Sequence, residues 1–210
     1  MQLNQNISLE MLMFAAKSNP GIKSALDLLL VSNYDDFIIG LNRDLDSCIN
    51  IMEEDPKIRR EDGEDRLTSE IVLALRFKGY QVEHDAMVGG HCDIVVRYGN
   101  YTWLGEAKIH GAYDYLFQGF QQLCTRYASG TPMSNHGGLL IYIRNNDALA
   151  VVNSWRTHLS GKSLKDYHES ECEMRPSLAF NSSHKHERSG LPYYVRHVGI
   201  VLGFDPKDKK

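Results

Sequence analysis

The chain has 210 residues, 42% of them hydrophobic and 24% charged, and a formal net charge of −4 at pH 7. That length suits one sizeable domain with a small appendage, and the composition is that of an ordinary globular protein. The acidic balance excludes indiscriminate adhesion to nucleic acid; no apolar run approaches the roughly 20 residues that span a bilayer, and Met1 to Asn6 lack the basic-then-apolar order of a signal peptide, so a cytoplasmic protein without membrane contact is expected.

Charge is unevenly spread. Six Lys and Arg face nine Asp and Glu over residues 1–60, five face nine over 61–112, and twelve face nine over 113–210, which also holds six of the nine histidines. Phosphate-backbone contacts are therefore expected from the second half, and a divalent cation would offset the negative middle. Cys48, Cys92, Cys124 and Cys172 stand singly, without a Cys-x-x-Cys pair, which argues against a zinc knuckle and a disulfide scaffold.

In chain order, residues 7–18 read as a helix capped by Ser8 and broken by Asn19-Pro20-Gly21. A second helix covers 22–31. A longer one over 34–54 carries Phe37, Ile38, Leu41, Leu45, Cys48, Ile49 and Met52 at three- and four-residue steps. This lead-in, residues 1–60, is expected to form a packing layer or a dimer surface on a core of residues 61–210. Residues 53–65, dense in charge and interrupted by Pro56 and Gly63, read as a linker or an exposed helix start. Residues 66–78 form a helix stopped by Gly79, with Glu70 and Glu64 on or beside its apolar arc.

A short strand over 80–84 leads to a β-hairpin whose arms, 92–98 and 101–109, flank Gly99-Asn100. Alternate strand residues share a face, so Glu106 and Lys108 point one way and Ala107 the other. Pairing of the arms brings Asp93 toward them. Two carboxylates and an ammonium beside an apolar hairpin are costly unless they pair or hold a cation. Then come a helix over 113–128 decorated by Gln118, Gln121 and Gln122, a buried strand over 137–143, and a helix over 147–159. Residues 160–190 are polar and aperiodic and read as a long mobile loop, followed by a last strand over 193–202.

The order helix with Glu, strand, strand with Asp93, strand with Glu106-Ala107-Lys108, helix, strand resembles the PD-(D/E)xK nuclease superfamily. Gly90-His91-Cys92-Asp93-Ile94-Val95-Val96 is similar to its aspartate strand, and Gly105-Glu106-Ala107-Lys108-Ile109 to its Glu-x-Lys strand; the likeness covers about 80 residues, Glu64 to Ile143. The resemblance implies an α/β, restriction-endonuclease-like core, a central mixed sheet flanked by helices, here with an N-terminal helical extension. It implies a nuclease, with DNA favoured over RNA as substrate and the choice between them left open by the sequence, in the manner of an effector or restriction component of bacterial defence. It also implies Mg2+, with Mn2+ as a substitute, held by Asp93, Glu106 and the backbone carbonyl of Ala107.

Lys108 would sit beside the attacking water. Glu70 is the better match to the family's helix acid, with Glu64 the alternative. Gln122 and Gln118 would contact phosphate or water, although Tyr127 follows Gln122 by five residues where the family's spacing is four. His91 and His110 read as polar residues at a cleft edge, His91 in reach of substrate, and His184 with His186 is not read as a metal site. The acidic charge and extra helices suggest a homo-oligomer or a partner protein. Two other readings stay open: a non-catalytic scaffold or nucleic-acid-binding subunit with the same fold, and an ordinary structural ion-pair group in an unrelated α/β domain.

Overall fold

A computed structural model describes residues 7–208. Helices come first: α1 (Leu9–Ala16), α2 (Pro20–Leu29) and α3 (Tyr34–Glu54), then a 3-10 turn (Pro56–Arg59) and α4 (Glu64–Phe77). The rest alternates strands and helices: β1 (Gln81–Met87), β2 (His91–Tyr98), β3 (Tyr101–Ile109), α5 (Tyr113–Gln121) continued by a π-helical turn (Gln122–Tyr127), β4 (His136–Ile143), α6 (Ala148–Ser160), β5 (His168–Glu171), β6 (Ala179–Lys185) and β7 (Pro192–Val201). It is an α/β protein, with N-terminal helices followed by a seven-stranded mixed sheet and interspersed helices. Among the described residues no helix is long and apolar enough to cross a membrane.

The strand order is β1-β2-β3-β4-β7-β6-β5, with β3, β4 and β7 parallel and the outer pairs antiparallel. Its centre is covered on both faces. Leu140 and Tyr142 of β4 join one core with α3 and α4, whereas Leu139, Ile141 and Ile143 join another with α5 and α6. That double burial is why β4 reads as an unbroken apolar run.

The boundary near residue 60 does not coincide with a gap in packing. Phe37, Leu41, Leu45 and Ile49 of α3 are fully buried and share one core with α4 and the sheet. A buried ion pair fastens the same helix: Arg196 of β7 donates to both carboxylate oxygens of Asp46, at 2.9 and 2.7 Å. By contrast α1 buries none of its residues and leaves Leu9, Met11 and Phe14 exposed.

The stretch over 160–190, expected as a mobile loop, contains β5 and β6. Phe180, Ser182 and His184 alternate as buried residues along β6, so the period of two is carried partly by polar side chains. Those side chains are accommodated inside. Ser182 Oγ lies 2.8 Å from His197 Nε2, and Trp155 Nε1 donates to His197 Nδ1 at 3.1 Å. An indole N–H can only donate, so neutral His197 carries its proton on Nε2 and gives it to Ser182. This serine therefore has no base to activate it.

Candidate active site

β2 and β3 separate at the point where the charged residues sit. Their ladder runs from Tyr98–Tyr101 to Ile94–Gly105; beyond it β2 continues only beside β1, and β3 only beside β4. In the opening, the Asp93 carboxylate accepts the Ala107 N–H at 2.8 Å. A side chain thus replaces the missing strand partner. The register of β3 puts Trp103 and Ala107 in the core under α3 and α4 and Leu104 in the other core. Glu106 and Lys108 follow Leu104 onto the α5 face.

There Lys108 Nζ stands among three carboxylates, 2.8 Å from Glu106, 3.2 Å from Glu64 and 3.8 Å from Asp93. It also donates to the Ala107 carbonyl at 3.1 Å. The Glu106 and Lys108 side chains are only 2% and 9% exposed, while those of Asp93 and Glu64 keep 23% and 24%. The group is thus a buried pair opening onto a wetter pair.

Electrostatically it is short of positive charge. Burial, and then the charge of Asp93, push the Glu106 carboxyl up to about 7 despite the Lys108 bond. Burial likewise raises Asp93. For Lys108 burial alone would favour the neutral amine, but the bond to Glu106 and the surrounding carboxylates outweigh it and hold it protonated. Glu106 Oε2 is buried with no hydrogen-bond partner. Among the described residues no three His, Cys, Asp or Glu side chains form a metal-ligating group.

Of the two glutamates of α4, the structure brings Glu64 to the cluster and not Glu70. α4 begins at Glu64 rather than near Arg66, with Gly63 as its N-cap, and this start lets the Glu64 carboxylate reach past the helix end to the Ile109 N–H at 2.7 Å. Glu70 lies two turns on and is held by Arg59 at 2.8 Å and Arg66 at 3.3 Å. Gly63 followed by the acidic pair Glu64-Asp65 is itself a helix-start pattern, and reading it so would have favoured Glu64.

α5 closes the site from above. Tyr115, missed in the sequence, directs its hydroxyl to Glu64 at 3.3 Å, and Lys108 Nζ lies 5.5 Å from its ring centre. Gly119 sits one turn further on. A Cβ there would meet Lys108 Cγ at 3.0 Å and Glu106 Cγ at 3.3 Å, so the bare backbone is what lets the helix lie on the two charged stems. Gly119→Val is expected to cost about 1–3 kcal/mol by overpacking. Its thermal melting should fall clearly below that of a matched Gly111→Val variant, at a glycine with open space around it.

Gln118 is exposed and Gln122 half-buried on the same helical stretch, and neither side chain has a hydrogen-bond partner among the described residues. His91 is exposed and paired with Asp85 at 2.8 Å, and His110 bonds Asn145 at 3.1 Å. Cys92 is a buried thiol pushed by burial up to about 12, its sulfur 3.5 Å from the Ile94 carbonyl. His184 and His186 are buried rather than solvent-borne, and burial lowers His184 to about 4.

Comparison with protein-family models, with curated proteins and with solved structures found no match.

Proposed function

We propose that the chain is a metal-dependent nuclease with a restriction-endonuclease-like core, hydrolysing phosphodiester bonds of DNA. One observation carries the reading: a protonated lysine held among Asp93, Glu106 and Glu64 where two strands part. The order α4, β1, β2, β3, α5, β4, with an antiparallel meander followed by a parallel strand, supports it. A structural ion-pair group has no use for an excess of buried acid or for an orphaned carboxylate oxygen.

Asp93, Glu106 and the Ala107 carbonyl form a small, hard oxygen set, which suits Mg2+, an ion that keeps several of its waters. When bound, such an ion supplies a Lewis acid for the phosphate and lowers the pKa of a coordinated water. The chain's own residues do the rest. Lys108, kept as an ammonium, donates to the attacking water or to a phosphate oxygen and so positions the one against the other. Glu106, with Asp93, would hold the ion, and the proton that the attacking water loses passes to solvent. The P–O ester bond then breaks, and the leaving alkoxide takes a proton from solvent. Glu64 and Tyr115 fix the lysine from the exposed side.

The test is cleavage of plasmid DNA by purified protein with Mg2+ or Mn2+. Asp93→Asn keeps an acceptor for the Ala107 N–H while removing the charge, and is expected to lower the rate at least about 100-fold without lowering the melting temperature. Undiminished cleavage by this variant would remove the site from the chemistry. No cleavage by the wild-type protein, together with no Mg2+ binding in calorimetry with DNA present, would favour the scaffold reading instead.

A further inference from the structure

Eleven of the twelve arginines have a side-chain partner among the described residues: carboxylates for Arg43, Arg59, Arg60, Arg66, Arg97, Arg156, Arg175 and Arg196, and backbone carbonyls for Arg76, Arg144 and Arg188. Arg126 has neither a hydrogen bond nor an ion pair there, and it is exposed. Its place is also built. The backbone of Arg126 lies against Gly89, and its aliphatic stem crosses Gly90, where a Cβ would meet Cδ at 2.8 Å and Cγ at 3.5 Å. Gly89 and Gly90 have φ of +68° and +155°, so this turn between β1 and β2 is shaped as only glycine readily allows.

The position relates directly to the acid cluster. Tyr115, Gly119 and Gln122 recur at four- and three-residue steps along one face of the helix, and Arg126 follows in the π-helical turn that continues it. Tyr115 and Gly119 touch Lys108. Arg126 lies seven residues beyond Gly119, at most about 10 Å along the helix at 1.5 Å each. The strand agrees: Gly90 is three residues from Asp93, again about 10 Å at 3.3 Å per residue. The π-helical turn that holds Arg126 is the kind of irregularity that re-aims a side chain beside a site.

We infer that Arg126 is a positioning residue that clamps a backbone phosphate flanking the scissile one, with the unpartnered amide of Gln122 between them. A planar guanidinium with no internal partner offers two parallel donors to phosphate oxygens, and the stem held on Gly90 limits the freedom lost on binding. A phosphate contact of this kind fixes where the strand lies and reads no bases. The inference rests on the nuclease reading, because it takes the acid cluster as the place of cleavage.

The experiment uses the full chain and a fluorescent 30-base-pair duplex. Affinity is measured by anisotropy with Ca2+ replacing Mg2+, from about 50 to 200 mM salt, and kinetics are measured with Mg2+. Arg126→Gln is compared with Arg60→Gln, which removes the same charge from a side chain 66% exposed beside Glu61. The expected result for Arg126→Gln is a Kd and a KM raised about 5- to 30-fold, an unchanged kcat, and a salt slope shallower by about one. Arg60→Gln should match the wild type in all of these. Equal affinity and slope for both variants, with cleavage intact, would overturn the clamp and leave the nuclease standing; a wild-type protein that neither binds nor cleaves the duplex would overturn both.

Discussion

Glu106→Gln will melt above the wild-type protein at pH 8 in the absence of metal, and on the nuclease reading it will lose cleavage. Three carboxylates surround one ammonium at this site, and Glu106 is the most deeply buried of them. Its carboxyl lies at about 7 in the folded chain against an ordinary 4.5. The folded state therefore binds more protons than the unfolded state between those values, and stability falls as pH rises through that window. Above it the charged carboxylate costs the fold up to about 3 kcal/mol, at 1.36 kcal/mol per unit.

The glutamine escapes that cost but weakens one hydrogen bond of Lys108, which returns about 1.5 kcal/mol. The net gain at pH 8 is about 1–2 kcal/mol, or roughly 2–8 °C at this chain length. At pH 5 the wild-type carboxyl is itself mostly protonated, and the difference should nearly vanish. A Glu106→Gln protein that melts below the wild type at pH 8 would mean that the acid holds the fold together rather than straining it. Such a result would restore the structural ion-pair reading.

Asp46→Ala acts in the opposite direction and should be strongly destabilising although it lies outside the site. It leaves Arg196, 6% exposed, without its carboxylate, its remaining partners being the Cys172 sulfur at 3.3 Å and the Asn42 carbonyl at 3.5 Å. Breaking a buried pair from one side costs about 3–5 kcal/mol, because the other charge stays buried. Urea unfolding should show that loss with an unchanged m-value. The double variant Asp46→Ala with Arg196→Met should recover a good part of it, since it removes the stranded charge as well. A loss under 1 kcal/mol for the single variant would mean that water reaches the guanidinium.

What was legible in the sequence follows from where periodicity is carried. The stripe of α3, the hairpin turn and the continuous apolar run of β4 announce themselves because apolar residues mark their periods. β6 was hidden because Ser182 and His184 occupy two of its inward positions, and a polar residue satisfied inside the fold looks the same on paper as one in a loop. Asp93, Glu106 and Lys108 were visible as residues, since charge beside an apolar strand demands a reason. Glu64 was harder. Its role depends on α4 starting two residues earlier than the apolar arc alone suggests, and on Glu70 being occupied by Arg59, an arginine from outside that helix. Tyr115 left no signal, because it meets Glu64 only through tertiary packing across 51 residues.

The bond between α3 and β7 also sets a clock. Asp46 and Arg196 are 150 residues apart. At about 5–20 residues per second, a nascent chain makes Asp46 roughly 8–30 s before it makes its partner. During that interval α3, and the sheet face it covers, lack the strand that fastens them. β4 is likewise missing its parallel neighbour β7, which follows it in the chain only after α6, β5 and β6. Pairing over such separations is slow, so the support beneath the charged cluster is completed last. A chain interrupted before residue 196 would carry every acidic and basic group of the site and still lack the frame that brings them together.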